Sequence, residues 1–140
     1  MIAPLLELKP LGLTIVNRNV TRARELAQRF VDLGPVRGMG YEELDAKAYD
    51  LVINATATSL GGTLPPLPPA VINTHSTCYD LAYAKDGTTF TRWAQRLGCA
   101  HALTGLGMLV EQAAESFQLW RGVRPATGAV LRDLAADMGS

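Results

Sequence analysis

The amino-acid sequence predicts an α/β fold built on a doubly wound, mainly parallel sheet. Short apolar runs of strand-forming residues alternate along the chain with patterns of helical periodicity, and this alternation is typical of parallel strands joined by helices. Three of the predicted strands lead directly into polar segments. Because ligands of such sheets bind at the carboxyl ends of the strands, we expect the functional residues within 17–22, 54–59 and 80–83.

Length and composition describe an ordinary globular domain, which we expect to span residues 1–140. Thirteen basic side chains balance thirteen acidic ones. This neutrality gives no support for binding to nucleic acid or to a membrane surface, and no apolar run approaches the length of a membrane span. Cys78 and Cys99 are too few for a disulfide scaffold, so we expect reduced thiols in a cytoplasmic protein. His75 and His101 lack partners at metal-ligand or catalytic-triad spacing, so no metal site is expected.

The first third of the chain reads as the end of a helix, a strand, a helix and a second strand. The apolar residues 1–6 are typical of the end of a helix. A strand is expected at Leu13–Val16, followed by a helix that Asn19 caps and that a Gly-Pro pair stops. The apolar stripe of this helix is expected to consist of Ala23, Leu26, Ala27 and Phe30. A brief strand near Val36 and a short acidic helix at residues 41–46 complete the region.

The remainder of the chain alternates strands with longer helices. Leu51-Val52-Ile53 is a continuous apolar run, which predicts a strand buried on both faces. We expect a further strand at residues 77–81 and helices at residues 89–97, 106–120 and 127–138. The helix at 106–120 should bury one broad face, because its apolar residues recur every three or four positions.

The first candidate site is the polar turn Asn17-Arg18-Asn19 together with Arg22. In dinucleotide-binding sheets a carboxylate near the end of the second strand commonly binds the ribose of NAD, whereas an arginine accommodates the 2′-phosphate of NADP. This turn contains no acidic residue. Arg22 also lies in the first turn of the predicted helix, where the helix dipole disfavours a cation unless an anion is bound beside it. The alternative is an exposed basic turn in which Asn19 is only a helix cap.

Three further sets of residues are candidates, and two of them lie at the ends of later strands. The small residues of Asn54-Ala55-Thr56 let the backbone approach a flat ligand, and the Thr56 hydroxyl can bond sugar or phosphate oxygens. The phenol of Tyr83 lies just past a predicted strand. A third set, at the edge of the apolar face of the long helix, consists of Gly105, Met108 and Gln112. Each has a structural alternative: an ordinary strand-to-loop turn, a packed tyrosine and a buried-edge glutamine.

Taken in order and spacing, these segments resemble the C-terminal half of the shikimate dehydrogenase family. That family shows Asn-Arg-Thr with an Arg three residues later, Ile-Asn-Ala-Thr, Asp-x-x-Tyr, Thr-Pro-Phe, and Gly-x-x-Met-Leu-x-x-Gln-Ala at a helix start. The matching residues are Asn17-Arg18-Asn19 with Arg22, Ile53-Asn54-Ala55-Thr56, Asp80 with Tyr83, Thr88-Thr89-Phe90, and Gly105-Leu106-Gly107-Met108-Leu109 with Gln112-Ala113. Asn19 and Thr89 stand where the family usually has Thr and Pro. The resemblance implies a Rossmann-like sheet that is incomplete, without its first strand and glycine-rich loop.

The resemblance also implies a cofactor and a substrate. The cofactor is NADP, and the substrate is shikimate or 3-dehydroshikimate, interconverted by reversible hydride transfer in aromatic amino-acid biosynthesis. The implied cofactor-binding residues are Asn17, Arg18, Asn19 and Arg22 at the 2′-phosphate, Asn54, Ala55 and Thr56 along the cofactor, and Leu81, Gly105 and Met108 at the nicotinamide half. Of these, Leu81 would pack against the nicotinamide ring and the Gly105 carbonyl would bond its carboxamide. Tyr83 and Gln112 would reach the substrate.

The family's catalytic Lys–Asp pair lies in a preceding domain that has no counterpart here, so we expect no catalytic residue in this chain. The chain alone should therefore show no dehydrogenase activity and weak NADPH affinity, and its C-terminal helices should pack toward the substrate domain. Unpaired strand edges predict self-association. Two alternatives fit the same residues: a quinate/shikimate dehydrogenase with a different cofactor choice, and a short non-catalytic nucleotide-binding module.

Overall fold

The computed structural model describes residues 1–139, apart from the side chains of residues 59, 60, 135 and 137–139. The chain divides into two compact units, one formed by Met1–Ala46 and the other by the residues from Lys47 onward. Each unit contains its own parallel sheet. The predicted α/β class with parallel strand pairing is therefore confirmed. No described helix is both long and apolar enough to cross a bilayer.

The first unit is a two-stranded parallel sheet with a helix connecting its strands. Its helices and strands are α1 (Ile2–Glu7), β1 (Leu13–Val16), α2 (Val20–Gln28) and β2 (Val36–Met39), with short 3₁₀ turns at Val31–Leu33 and Tyr41–Glu43. Leu13 lies opposite Val36 in the β1–β2 pair, and Val16 lies opposite Met39. The predicted strands are confirmed. The acidic helix expected at 41–46 is shorter than predicted.

Helix α2 lies against β2 at very short range, and this explains which of its residues are buried. A Cβ atom placed on Gly38 would lie only 2.1 Å from the carbonyl oxygen of Ala23, so the two backbones touch where glycine is present. Ala23 and Ala27 are buried in this contact. The prediction that Leu26 belongs to the apolar stripe is wrong: its side chain is 37% exposed, because a contact this close admits only small residues.

The second unit is a three-stranded parallel sheet in the order β3–β4–β5. Its strands are β3 (Leu51–Asn54), β4 (Thr77–Asp80) and β5 (His101–Thr104), and its helices are α3 (Thr89–Arg96), α4 (Leu106–Arg121) and α5 (Gly128–Gly139). Short 3₁₀ turns occur at Ala57–Gly61 and Pro69–Val71. Asn54 pairs with Asp80, and Asp80 pairs with Thr104. The register therefore brings the carboxyl ends of all three strands to one edge of this sheet.

Two features of the second sheet differ from the sequence-based expectation. Strand β5 was not predicted. Leu51, expected inside a strand buried on both faces, is 45% exposed. The physical reason is that β3 is an edge strand, hydrogen-bonded to β4 alone among the described strands.

The core of the second unit lies between α3 and the sheet. Phe90, Ala94 and Cys78 are fully buried there. Burial raises the pKa of the Cys78 thiol to about 12, and the neighbouring Cys99 thiol adds to that rise. Both thiols are free. Cys78 is therefore a neutral packing residue over the whole physiological pH range.

Candidate functional site

The polar turn after β1 is held by its own two asparagine side chains. The backbone N–H of Asn19 donates to the Oδ1 atom of Asn17 at 2.9 Å, and the backbone N–H of Arg22 donates to the Oδ1 atom of Asn19 at 3.1 Å. The second of these bonds is the N-cap of α2. The expected capping role of Asn19 is confirmed, and the turn fixes where the two arginine side chains leave the backbone.

Arginines of the first unit fall into paired and unpaired groups. Arg24 forms an ion pair with Glu43 at 2.6 Å, and Arg37 forms one with Asp45 at 2.9 Å. Arg18 and Arg22, by contrast, are exposed and have no ion pair with any residue in the described part of the chain. The first turn of α2 also lacks an acidic residue. Two positive charges thus lie beside the positive end of a helix dipole without a protein counter-charge.

A phenol lies near one of these arginines. Burial raises the pKa of Tyr41, and the positive charge of Arg18 offsets part of that rise. Tyr41 therefore stays neutral at physiological pH, and it does not supply the missing negative charge.

The strand ends of the second unit are joined by one buried carboxyl group. Asp80 has no exposed surface. Its Oδ1 atom accepts hydrogen bonds from the Asn54 side-chain amide at 3.3 Å and from the Ala82 backbone N–H at 3.1 Å. Its Oδ2 atom accepts from the Thr88 hydroxyl at 2.6 Å, and Thr88 in turn caps α3. Asp80 thereby connects the end of β3, the segment after β4 and the start of α3.

Asn54 extends this network into the segment that follows β3. Its Oδ1 atom lies 3.1 Å from the backbone nitrogen of Thr56 and 2.7 Å from the Thr56 hydroxyl oxygen. The Thr56 hydroxyl oxygen lies 2.6 Å from that of Thr58. The Asn54-Ala55-Thr56 segment is thus held in one conformation by the buried end of its own strand.

The backbone after β4 lies directly against the start of α4. A Cβ atom on Gly105 would lie 2.0 Å from the Leu81 carbonyl oxygen. The Gly105 N–H donates to the Ala82 carbonyl at 3.0 Å, and the Leu81 N–H donates to the Asn54 carbonyl at 3.0 Å. The Gly105 carbonyl accepts from the Leu109 N–H at 2.9 Å, which leaves its second lone pair for a ligand. The structure therefore brings Asn54, Leu81 and Gly105 together.

The remaining candidates are exposed. Tyr83 is 49% and Met108 39% exposed, and Gln112 also lies at the surface. No hydrogen bond joins the Tyr83 or Gln112 side chain to another described residue. Helix α4 packs through Val110 and Ala114, and Gln112 is exposed, so the structural alternative of a buried-edge glutamine is wrong.

Sequence reasoning missed the connecting role of Asp80, the cap formed by Thr88 and the position of Thr58. Asp80 and Thr88 appeared only as letters of a motif, since the sequence does not reveal that side chains eight residues apart meet in the interior.

Among the residues whose side chains are described, no group of three or more His, Cys, Asp or Glu is arranged to hold a metal ion.

Comparison with known proteins finds relatives among the NADP-dependent shikimate dehydrogenases. The family model for the shikimate 5′-dehydrogenase C-terminal domain matches residues 105–134. An NADP-dependent shikimate dehydrogenase of Methylococcus capsulatus is 51% identical over 137 residues, which are 98% of this chain and 49% of that protein. The chain thus spans about half the length of the curated relatives it matches.

Matches to solved structures likewise cover nearly all of this chain and about half of the other. An Ael1 enzyme from Pseudomonas putida is 43% identical with a TM-score of 0.83, over 95% of this chain and 49% of its own. A shikimate 5-dehydrogenase from Thermus thermophilus, solved in complex with shikimate, is 29% identical with a TM-score of 0.71. That match covers 99% of this chain and 50% of the other.

The contact at Gly105 yields a direct test of the second unit's packing. We expect Gly105→Ala to lower the free energy of unfolding by about 2 kcal/mol, because the added methyl group overlaps the Leu81 carbonyl. Gly107→Ala is the matched control: it lies in the first turn of the same helix, where an added Cβ would have no atom within 4 Å, and should gain about 0.5 kcal/mol. Urea unfolding followed by circular dichroism measures both. Equal stability of the two variants would show that the contact is not as close as described.

Proposed function

This chain is a homologue of the C-terminal half of NADP-dependent shikimate dehydrogenases, and on that premise we propose that it is the NADP-binding portion of such an enzyme. The proposed reaction is the reversible, NADPH-dependent reduction of 3-dehydroshikimate to shikimate, a step of aromatic amino-acid biosynthesis in the cytoplasm. The observation that carries the proposal is the pair of arginines, Arg18 and Arg22, that have no ion pair beside the start of α2 within the described part of the chain.

The proposed 2′-phosphate site consists of Asn17, Arg18, Asn19 and Arg22. A phosphate between the two guanidinium groups would receive charge-assisted hydrogen bonds and would offset the unfavourable position of Arg22 in the first turn of α2. The neighbouring Arg24 and Arg37 are already neutralised by carboxylates, so they do not compete for the ligand. NAD lacks the phosphate and would leave the two charges unpaired. These residues thus fit NADP better than NAD.

The proposed nicotinamide site lies at the strand ends of the second unit. Asn54, Ala55 and Thr56 would line the cofactor, and Leu81 would pack against the nicotinamide ring. The free lone pair of the Gly105 carbonyl supports its proposed bond to the carboxamide, and Met108 is exposed next to it in the first turn of α4. When bound, the dinucleotide supplies the hydride, while these residues bind and orient it.

The proposed substrate contacts are Tyr83 and Gln112, whose polar groups form no hydrogen bond with the described residues and are exposed. We further propose that α4 and α5 pack toward the substrate domain of the whole enzyme. An apolar cleft of about 350 Å³ between these helices supports this. It is lined by Leu109, Val110, Phe117, Val130 and Leu134, among others. Since none of the proposed site residues is a catalytic acid or base, the experiments below measure binding.

Self-association is proposed from the strand edges. Among the described strands, β1 pairs only with β2 and β3 pairs only with β4. The outer edges of β1 and β3 therefore present unpaired backbone groups, which are templates for pairing with another chain.

The first test of this proposal concerns cofactor choice. We expect the double variant Arg18→Gln, Arg22→Gln to lose roughly 10- to 100-fold in NADP affinity and little in NAD affinity, because charge-assisted bonds to the 2′-phosphate are removed. Isothermal titration calorimetry with both dinucleotides measures the ratio. Arg29→Gln is the control, since Arg29 is an exposed arginine at the opposite end of α2. An unchanged NADP/NAD ratio in the double variant would refute the proposed site.

The second test concerns assembly. We expect the chain to sediment as a dimer or larger species at micromolar concentration, and Leu51→Lys to shift it toward monomer by placing a charge on the edge strand β3. Leu11→Lys adds the same charge at a fully exposed position before β1 and should leave the distribution unchanged. Analytical ultracentrifugation distinguishes these cases. A concentration-independent monomer in the unsubstituted chain would contradict the proposal.

A further inference from the structure

A run of four hydrogen-bonded side chains leads from the buried Asp80 to Thr58, beyond the end of β3. The Asn54 amide donates to Asp80, the Thr56 hydroxyl lies 2.7 Å from Asn54 Oδ1, and the Thr58 hydroxyl lies 2.6 Å from that of Thr56. A threonine hydroxyl carries a single hydrogen. The direction of each bond in the run therefore restricts the direction of the next.

The orientation of the Asn54 amide is fixed from two sides. The backbone N–H of Thr56, 3.1 Å from Oδ1, requires an acceptor, and the Asp80 carboxyl oxygen facing Nδ2 requires a donor. A flipped amide would place a donor against a donor and an acceptor against an acceptor. The oxygen of Asn54 therefore faces the Thr56 hydroxyl and accepts its only hydrogen.

The Thr56 hydroxyl hydrogen is already donated to Asn54, and this determines the direction of the hydrogen bond between Thr56 and Thr58. Since Thr56 has no second hydrogen, the 2.6 Å contact requires the Thr58 hydroxyl to donate to Thr56. The backbone N–H of Thr58, 3.4 Å from the same Thr56 oxygen, also approaches it as a donor. The Thr58 hydroxyl has no other partner in the described part of the chain, and the residue is only half-buried. Its oxygen can therefore accept a hydrogen bond from a ligand but cannot donate one.

We infer that Thr58 is a cofactor-binding residue whose hydroxyl oxygen accepts a hydrogen bond from a ribose hydroxyl of the bound dinucleotide. A phosphate oxygen is an acceptor at neutral pH and would meet another acceptor at this position, whereas a ribose hydroxyl brings its own hydrogen. Neither Thr56 nor Thr58 has a hydroxyl hydrogen left to donate to phosphate. The sequence predicted that Thr56 bonds sugar or phosphate oxygens, and these directions exclude a bond in which it donates. Asp80 and Asn54 act as positioning residues. This inference rests on the proposed function, because it requires a dinucleotide at the strand ends.

The inference is tested by calorimetric titration of the 140-residue chain with NADP, NAD and inorganic pyrophosphate. We expect Thr58→Val, which keeps the shape and removes the hydroxyl, to weaken NADP and NAD by the same factor of about ten. Thr58→Ser retains the hydroxyl and should bind both within about twofold of the unsubstituted chain. Pyrophosphate should bind all three proteins equally. The same titrations use NAD analogues that carry deoxyribose at one or the other sugar. For the analogue that lacks the partner hydroxyl, Thr58→Val should cause no further loss of affinity.

Each result separates this inference from the proposed function. The inference is overturned if the Thr58→Val and Thr58→Ser variants bind dinucleotides with equal affinity, or if Thr58→Val weakens pyrophosphate binding as much as dinucleotide binding. Either result leaves the proposed arginine site untouched, because the arginine variants test it separately. If Thr58→Val weakens the binding of both dinucleotides but the arginine variant leaves the ratio of NADP to NAD affinity unchanged, the inference holds and the proposed selectivity for NADP is refuted. If neither dinucleotide binds at millimolar concentration, which is high enough to detect the weak affinity expected of the chain alone, both are overturned. Should Thr58→Val unfold, the unsubstituted chain must still lose about tenfold in affinity for one deoxyribose analogue.

Discussion

The second unit depends on satisfying one buried carboxyl group. Removing a carboxyl group from water costs several kcal/mol unless hydrogen-bond donors replace the lost solvent, roughly the scale of a small domain's whole stability. The donors to Asp80 come from Asn54, Ala82 and Thr88, which belong to three different segments of the chain. Meeting the requirement of a single side chain therefore fixes the end of β3, the exit from β4 and the start of α3 at once. The candidate nicotinamide site includes the first two of these segments, together with the start of α4.

In the first unit, two positive charges are held in place beside the start of α2 without a counter-charge from the described residues. Close packing of Gly38 against Ala23 sets the position of α2, and Asn19 caps its first turn. Carboxylates neutralise Arg24 and Arg37 but, within the described residues, not Arg18 and Arg22. A rigid helix start with two uncompensated guanidinium groups is suited to an anion that arrives with the ligand.

Local signals in the sequence predicted most of the elements. The capping residue Asn19 lies where α2 begins, and Gly122 ends α4 in the left-handed conformation. Strand β5 escaped prediction because His101–Thr104 has little strand preference of its own and depends on pairing with β4. The network around Asp80 was not predicted for a similar reason: its bonded residues are up to 26 positions apart in the sequence, and only the fold brings them together. The assignments of individual ligand contacts came from the family resemblance and remain predictions.

The most direct test of the account is hydrogen exchange, followed by NMR, in the variant Asp80→Ala. Loss of the carboxyl group should free the Ala82 amide and, through the Ala82 carbonyl, the Gly105 amide, so both should exchange at least about tenfold faster. The Asn17 amide, bonded to the Met39 carbonyl in the first unit, should exchange at its original rate. If Ala82 and Gly105 retain their protection in this variant, Asp80 does not hold the strand ends together and the account is wrong.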